Sequence, residues 1–288
     1  MTWFSNRWLV NLALVAMVVI LALAVYLTRT GESQQGGFRL TTLQPQDISR
    51  LRLQRPKRET IMLEHSDFGW RLTEPVAARA NRFNVEQLLG LAQAPADLNI
   101  AAHERDLSRY GLDKPSARVW LNDTEIDFGS IHPLKNQHYV LHDRMIYLVS
   151  SRYFALAAYP YSNFIDTRLL EEEPVPVSIA LRDFSVALRD GTWHRFPDIK
   201  ELSADRVNRF VEEWRHASAL SVERYSGTPP SERVRITFST HEKEVSIDFG
   251  VLARKPELIL VRIDEGLQYH FPEEIGKRLL NLTPDQSP

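Results

Sequence analysis

The chain repeats itself, and that repeat limits its fold more than any other feature. "RYGLDKPSARV" (Arg109–Val119) and "RYSGTPPSERV" (Arg224–Val234) align without a gap in Arg, Tyr, Pro, Ser, Arg and Val. Each is followed by a strand-like stretch, a turn and the tetrapeptide "IDFG", at Ile126–Gly129 and Ile247–Gly250. Upstream, "FGWRLTEP" (Phe68–Pro75) matches "GTWHRFP" (Gly191–Pro197) in outline. A helical pattern follows each, with apolar Val85, Leu88 and Leu89 in one and Val207, Phe210, Val211 and Trp214 in the other. Apolar residues three and four apart mark one buried helix face. Ser203 and Asp205 supply a start signal for the second helix.

Alternation supplies the strands. "ISRLRLQR" (Ile48–Arg55) and "ETIMLEH" (Glu59–His65) read as a hairpin around Pro56-Lys57-Arg58, with counterparts at Val177–Asp183 and Phe184–Gly191. A meander and a short closing helix, near Ser150–Ala158 and Glu273–Leu282, complete each copy. "EEEPVP" (Glu171–Pro176) is a charged, proline-bearing boundary. The expected fold is α+β: two tandem modules, residues 38–173 and 174–283, each an antiparallel sheet with packed helices. Residues 284–288 form a tail.

The N-terminus points to a membrane. Trp8 to Leu27 contains no charged residue, with Arg7 and Arg29 beyond its ends. At about 1.5 Å per residue, the run just spans a hydrocarbon core of roughly 30 Å. Trp3, Trp8 and Tyr26 stand where interfacial aromatics belong. The competing reading is a cleaved signal peptide with Ala22-Leu23-Ala24 as its site, but the run exceeds the usual apolar core of about 7–15 residues. The expectation is an anchor in residues 1–30, its ends at Trp8 and Leu27, a polar tether at Gly31–Gly37, and the remainder in a bacterial periplasm.

Composition excludes some chemistry. No cysteine is present, so disulfides, thiolate catalysis, zinc–thiolate sites and lipoprotein anchoring are ruled out. The formal net charge of −2 gives no electrostatic reason to expect nucleic acid. The repeated Asp-Phe-Gly resembles a kinase magnesium motif, yet the glycine-rich loop, strand lysine and catalytic loop that must accompany it are missing. An acid dyad built from Asp127 and Asp248 needs two carboxylates at close range. Mid-strand alternation instead puts both on an outer sheet face, with the Ile and Phe inward and the glycine letting the strand turn into its loop. His138 and His142 share a strand face about 13 Å apart, too far for one metal. With His132 they are expected to be solvated strand residues. His103 and Asp106 read as a capping or surface pair. No cofactor or metal is expected. The best candidates for partner contact are Tyr159, Tyr161 and Phe164, crowded around Pro160 and Asn163 in a loop-favouring stretch; the competing reading has them plug the module junction.

"GWRLTEP", a helix, "RYGLDKPSARVWL", "IDFG" and "HYVLHDRMIYLVSS" together resemble the domain-of-unknown-function family 4340. The resemblance covers most of the first module and, more weakly, the second, where "YSGTPP" replaces "YGLDKP". It implies a protein held by one N-terminal helix, auxiliary to ABC transport systems of the gliding-motility type, and it carries over no catalytic residue. The expected function is therefore a non-enzymatic, membrane-anchored periplasmic accessory or scaffold protein whose partners are ABC-type transporter subunits. The alternatives are a glycan- or peptide-binding module using the cleft between copies, and a hydrolase with an unrecognised site.

Overall fold

The structure is a computed structural model. It describes residues 5–30, 38–67, 69–103, 107–171, 173–239 and 243–284, with side chains of the first segment described for 11–23. The side chains of Trp8 and Leu27, the tether Gly31–Gly37, and Asp106 lie outside the described residues.

The fold is a mostly β member of the α+β class, its strands grouped into two antiparallel sheets. Helix α1 spans Ser5–Thr30. Counting only residues whose side chains are described, which in α1 are 11–23, no helix is long and apolar enough to cross a membrane.

The chain divides into two compact units. The first joins Met1–Asp47, Gly90–Ser116 and Glu125–Phe154. Besides α1 it holds β1 (Phe38–Arg39), β6 (Pro95–Ala101), β8 (Thr124–Ile131, after its first residue), β9 (Gln137–His142) and β10 (Met145–Ser150). Their order is β1-β6-β10-β9-β8. Ile126, Phe128, Val140, Ile146 and Val149 form its fully buried centre.

The second unit holds β2 (Arg50–Gln54), β3 (Ile61–Ser66), β4 (Gly69–Glu74), β5 (Ala78–Arg79), helix α2 (Arg82–Leu89) and β7 (Ala117–Leu121), ordered β7-β2-β3-β4-β5. It also holds the whole second sheet. That sheet comprises β11 (Pro176–Ala180), β12 (Ser185–Arg189), β13 (Thr192–Phe196), β14 (Ser221–Arg224), β15 (Glu232–Ser239), β16 (Glu244–Ala253), β17 (Glu257–Arg262) and β18 (Leu267–Pro272). Helices α4 (Ala204–Arg215) and α5 (Glu273–Leu280) belong to it, and α3 (Ser151–Ala157) closes the first copy.

The two halves are repeat-like. The order β6-β10-β9-β8 recurs as β14-β18-β17-β16, and β7-β2-β3-β4 recurs as β15-β11-β12-β13. The corresponding strands β4 and β13 are each followed by a cis proline, at Glu74–Pro75 and Phe196–Pro197. The hairpin read from alternation is a three-stranded meander in each copy, because "GWRLTE" and "TWHRF" pair with the preceding strand.

The predicted helix faces are buried. Val85, Leu88 and Leu89 of α2, and Val207, Phe210, Val211 and Trp214 of α4, point into the core. The Ser203 Oγ caps α4 by accepting from the Arg206 amide at 3.2 Å. The Trp214 indole donates to the Leu279 carbonyl at 2.8 Å, tying α4 to α5.

The "IDFG" strands keep Ile126, Phe128 and Phe249 buried, but the glycines act differently from the expectation. Neither strand turns there: β8 runs on to Ile131 and β16 to Ala253. A Cβ on Gly250 would lie 2.6 Å from Pro230 and 2.7 Å from Val261, and one on Gly129 would overlap the Tyr110 carbonyl oxygen. Both glycines let the preceding "RYGLDKP" or "RYSGTPP" segment cross closely over the strand.

Candidate functional site

A strap, residues 165–169, stitches the two copies together within the second unit. On one side Ala80 bridges Ile165, and the Asp166 amide donates to the Arg79 carbonyl at 2.9 Å. On the other, the Ala219 amide donates to Thr167 and the Leu169 amide to Ala217, both at 2.9 Å. Charges concentrate on this strap. Arg79 lies 3.6 Å from both Asp166 and Glu265, and all three side chains are only 11–13% exposed. Arg262, 7% exposed, lies 3.2 Å from Glu265. The Tyr269 hydroxyl donates to Glu265 at 3.0 Å. Burial, then the Glu265 carboxylate, pushes the Tyr269 phenol up, so it stays protonated as a donor.

Next to this cluster opens a cavity of about 810 Å³. The β3–β4 hairpin brings His65, Asp67, Trp70 and Arg71 to it. Gly69, at φ +93°, makes the turn, and the Ser66 hydroxyl donates to its carbonyl at 3.1 Å. The start of α2 brings Arg82 and Glu86, paired at 2.6 Å. The strap and its continuation bring Asp166 and Glu171. Trp70 is half-buried, with His65 edge-on at 5.3 Å. Among the described residues, the lining holds one indole, three arginines and four carboxylates.

The residues singled out from sequence fall elsewhere. Phe164 is fully buried, and its carbonyl accepts from the Asn81 amide at 2.8 Å. Tyr159 and Tyr161 are half-buried and keep some accessible surface. The Tyr159 carbonyl is held by Arg55. His138 is not a solvated strand residue: it is 7% exposed, stacks on Phe154 at 4.2 Å and hydrogen-bonds the Ser151 hydroxyl at 2.9 Å. Burial pulls its imidazole down. His142 bonds the Glu125 carbonyl, and the His132 ring accepts from the Leu134 amide. The two repeated aspartates differ. Asp127 is buried, against the outer-face expectation, whereas Asp248 is half-exposed and held by Arg235 at 2.7 and 3.0 Å. That charge-assisted hydrogen bond, and Arg235's charge, hold its carboxyl below the usual range. Among the described residues, no group of three or more His, Asp or Glu side chains could hold a metal ion. The cavity was missed by sequence reasoning because its walls come from distant points of the chain; "GW" after a turn was its one local signal.

Fold and site together define a class: a duplicated sheet-repeat protein with a charge-stitched joint and an open polar cavity beside it. The chain belongs to the family described as a domain of unknown function (DUF4340), whose model matches residues 70–230, more than half its length. No curated protein and no solved structure matches it.

Proposed function

We propose that the chain is a non-enzymatic, membrane-anchored accessory protein. In this reading α1 lies in the inner membrane of a bacterium, and the body from Phe38 onward, two modules meeting near residue 173, stands in the periplasm. One observation carries the reading. Every residue from 11 to 23 of α1 is exposed, and Leu12, Val15, Val18, Ile20 and Leu23 are 55–64% exposed. A helix apolar all round has no polar face to offer water. With no side of residues 11–23 covered by the chain, lipid is the natural cover, and the uncharged run from Trp8 to Leu27 has the length for it.

The partner follows from the family resemblance, which implies an auxiliary place beside an ABC-type transport complex. The half-buried Tyr159 and Tyr161 are the aromatic anchors proposed for that contact. The non-enzymatic part draws support from the ring and carboxylate groups that the motifs first suggested: His138 is packed under Phe154, and Asp248 is engaged by Arg235.

Affinity purification of the full chain from membranes in a mild detergent tests the proposal. Recovery of permease and ATPase subunits is expected. Recovery of the chain alone, across several detergents, would overturn the accessory role.

A further inference from the structure

We propose that the cavity beside Trp70 binds a neutral oligosaccharide. The inference goes beyond the accessory reading and does not depend on it. It starts from the cavity's size, about 810 Å³, within the roughly 300–1,000 Å³ range of small-molecule sites. The lining then narrows the ligand class. Arg82 is paired with Glu86 at 2.6 Å, and Arg79 lies between Asp166 and Glu265 at 3.6 Å from each. Arg71 and Asp67 add one charge of each sign. A strongly anionic ligand meets four carboxylates there, and a cationic one meets three guanidiniums. Among the described residues, an apolar ligand finds one indole and the Ala80 methyl. What remains suited is an uncharged molecule that both donates and accepts hydrogen bonds in many directions and has one apolar face to lay on a ring. A pyranose has that make-up: hydroxyls around its rim for the carboxylates and guanidiniums, and a face of C–H groups for an aromatic platform.

The second tryptophan in a surface cavity sharpens the contrast. Trp120 lines a smaller hollow of about 340 Å³, and there the Arg52 guanidinium already lies over its ring at 3.8 Å. At Trp70 the neighbour is His65, edge-on at 5.3 Å and 68°, a contact that does not cover the ring as a stacked guanidinium does. A polypeptide is the competing occupant. It is less suited, because among the described residues Trp70 and Ala80 are the apolar side chains that line the cavity.

The test uses the full chain in a detergent without a sugar headgroup. Neutral glucose and N-acetylglucosamine oligomers, acidic oligosaccharides and a random peptide library are screened for binding, and hits are titrated calorimetrically. At least one neutral oligomer is expected to bind. Its Kd should rise at least about tenfold in Trp70→Ala, stay within a few-fold in Trp70→Phe, and be unchanged in Trp120→Ala. Arg82→Ala removes an 86% exposed side chain and should also weaken binding, which keeps the proposal testable if Trp70→Ala fails to fold. Binding of acidic sugars only, of peptides only, of nothing in the panel, or binding indifferent to both Trp70→Ala and Arg82→Ala would overturn it.

Discussion

Arg235 and Asp248 stand opposite each other as register partners on β15 and β16, and the guanidinium grips the carboxylate through two hydrogen bonds. The aspartate of the second "IDFG" is therefore one half of an exposed cross-strand pair, which contributes little to stability and is screened by salt. Asp248→Asn is expected to shift the urea midpoint only slightly, and less at high salt than at low.

The glycine two residues on is predicted to matter far more. Gly250→Ala drives a methyl group into Pro230 and Val261, and overpacking of that kind costs about 1–3 kcal/mol. Gly129→Ala meets the Tyr110 backbone, which yields less readily than a side chain. Denaturant melts of both variants should show losses in that range, Gly129→Ala the larger. Parent-like stability in either would remove the close-crossing explanation of the motif.

The joint between the copies gives a third prediction. Removing one partner from a buried ion pair leaves an uncompensated charge and costs about 3–5 kcal/mol. Arg79→Met leaves Asp166 with Arg168 and Glu265 with Arg262, and Glu265→Gln leaves Arg79 with Asp166 and Arg262 with Asp264, so each change forfeits only part of that amount. Each single variant should melt below the parent. The double variant should lose less than the two single losses combined, since it removes charge from both sides of the same network.

His138 predicts a pH dependence in the first unit. Burial lowers its folded pKa below the ordinary imidazole value of about 6.5. Between the two values the unfolded chain binds the extra proton, so stability is whole above about 6.5 and falls as pH drops through the folded value. Urea midpoints followed from neutral pH downward should show this loss, and His138→Phe should reduce it.

Legibility from sequence tracked locality. Repeat, helix faces and the Ser203 cap were readable because each rests on spacing within a few residues. β6 and β14 went unread: Pro95–Ala101 and Ser221–Arg224 are mostly exposed and show little alternation, and long-range pairing with β10 and β18 makes them strands. The role of Gly129 and Gly250 was misread because the atoms that demand glycine come from the crossing segments. His138 looked solvated because Phe154, which covers it, belongs to the next helix. The Trp70 cavity and the Arg79–Glu265 joint were invisible for the same reason, their members meeting only once the strap is in place.

In the proposed function α1 anchors the chain in a membrane. Alkaline carbonate extraction of membranes from cells expressing the full chain, run beside a chain that begins at Phe38, is the decisive experiment. The full chain is predicted to stay in the membrane pellet while the shortened chain is found in the supernatant. Release of the full chain into the supernatant would contradict the claim.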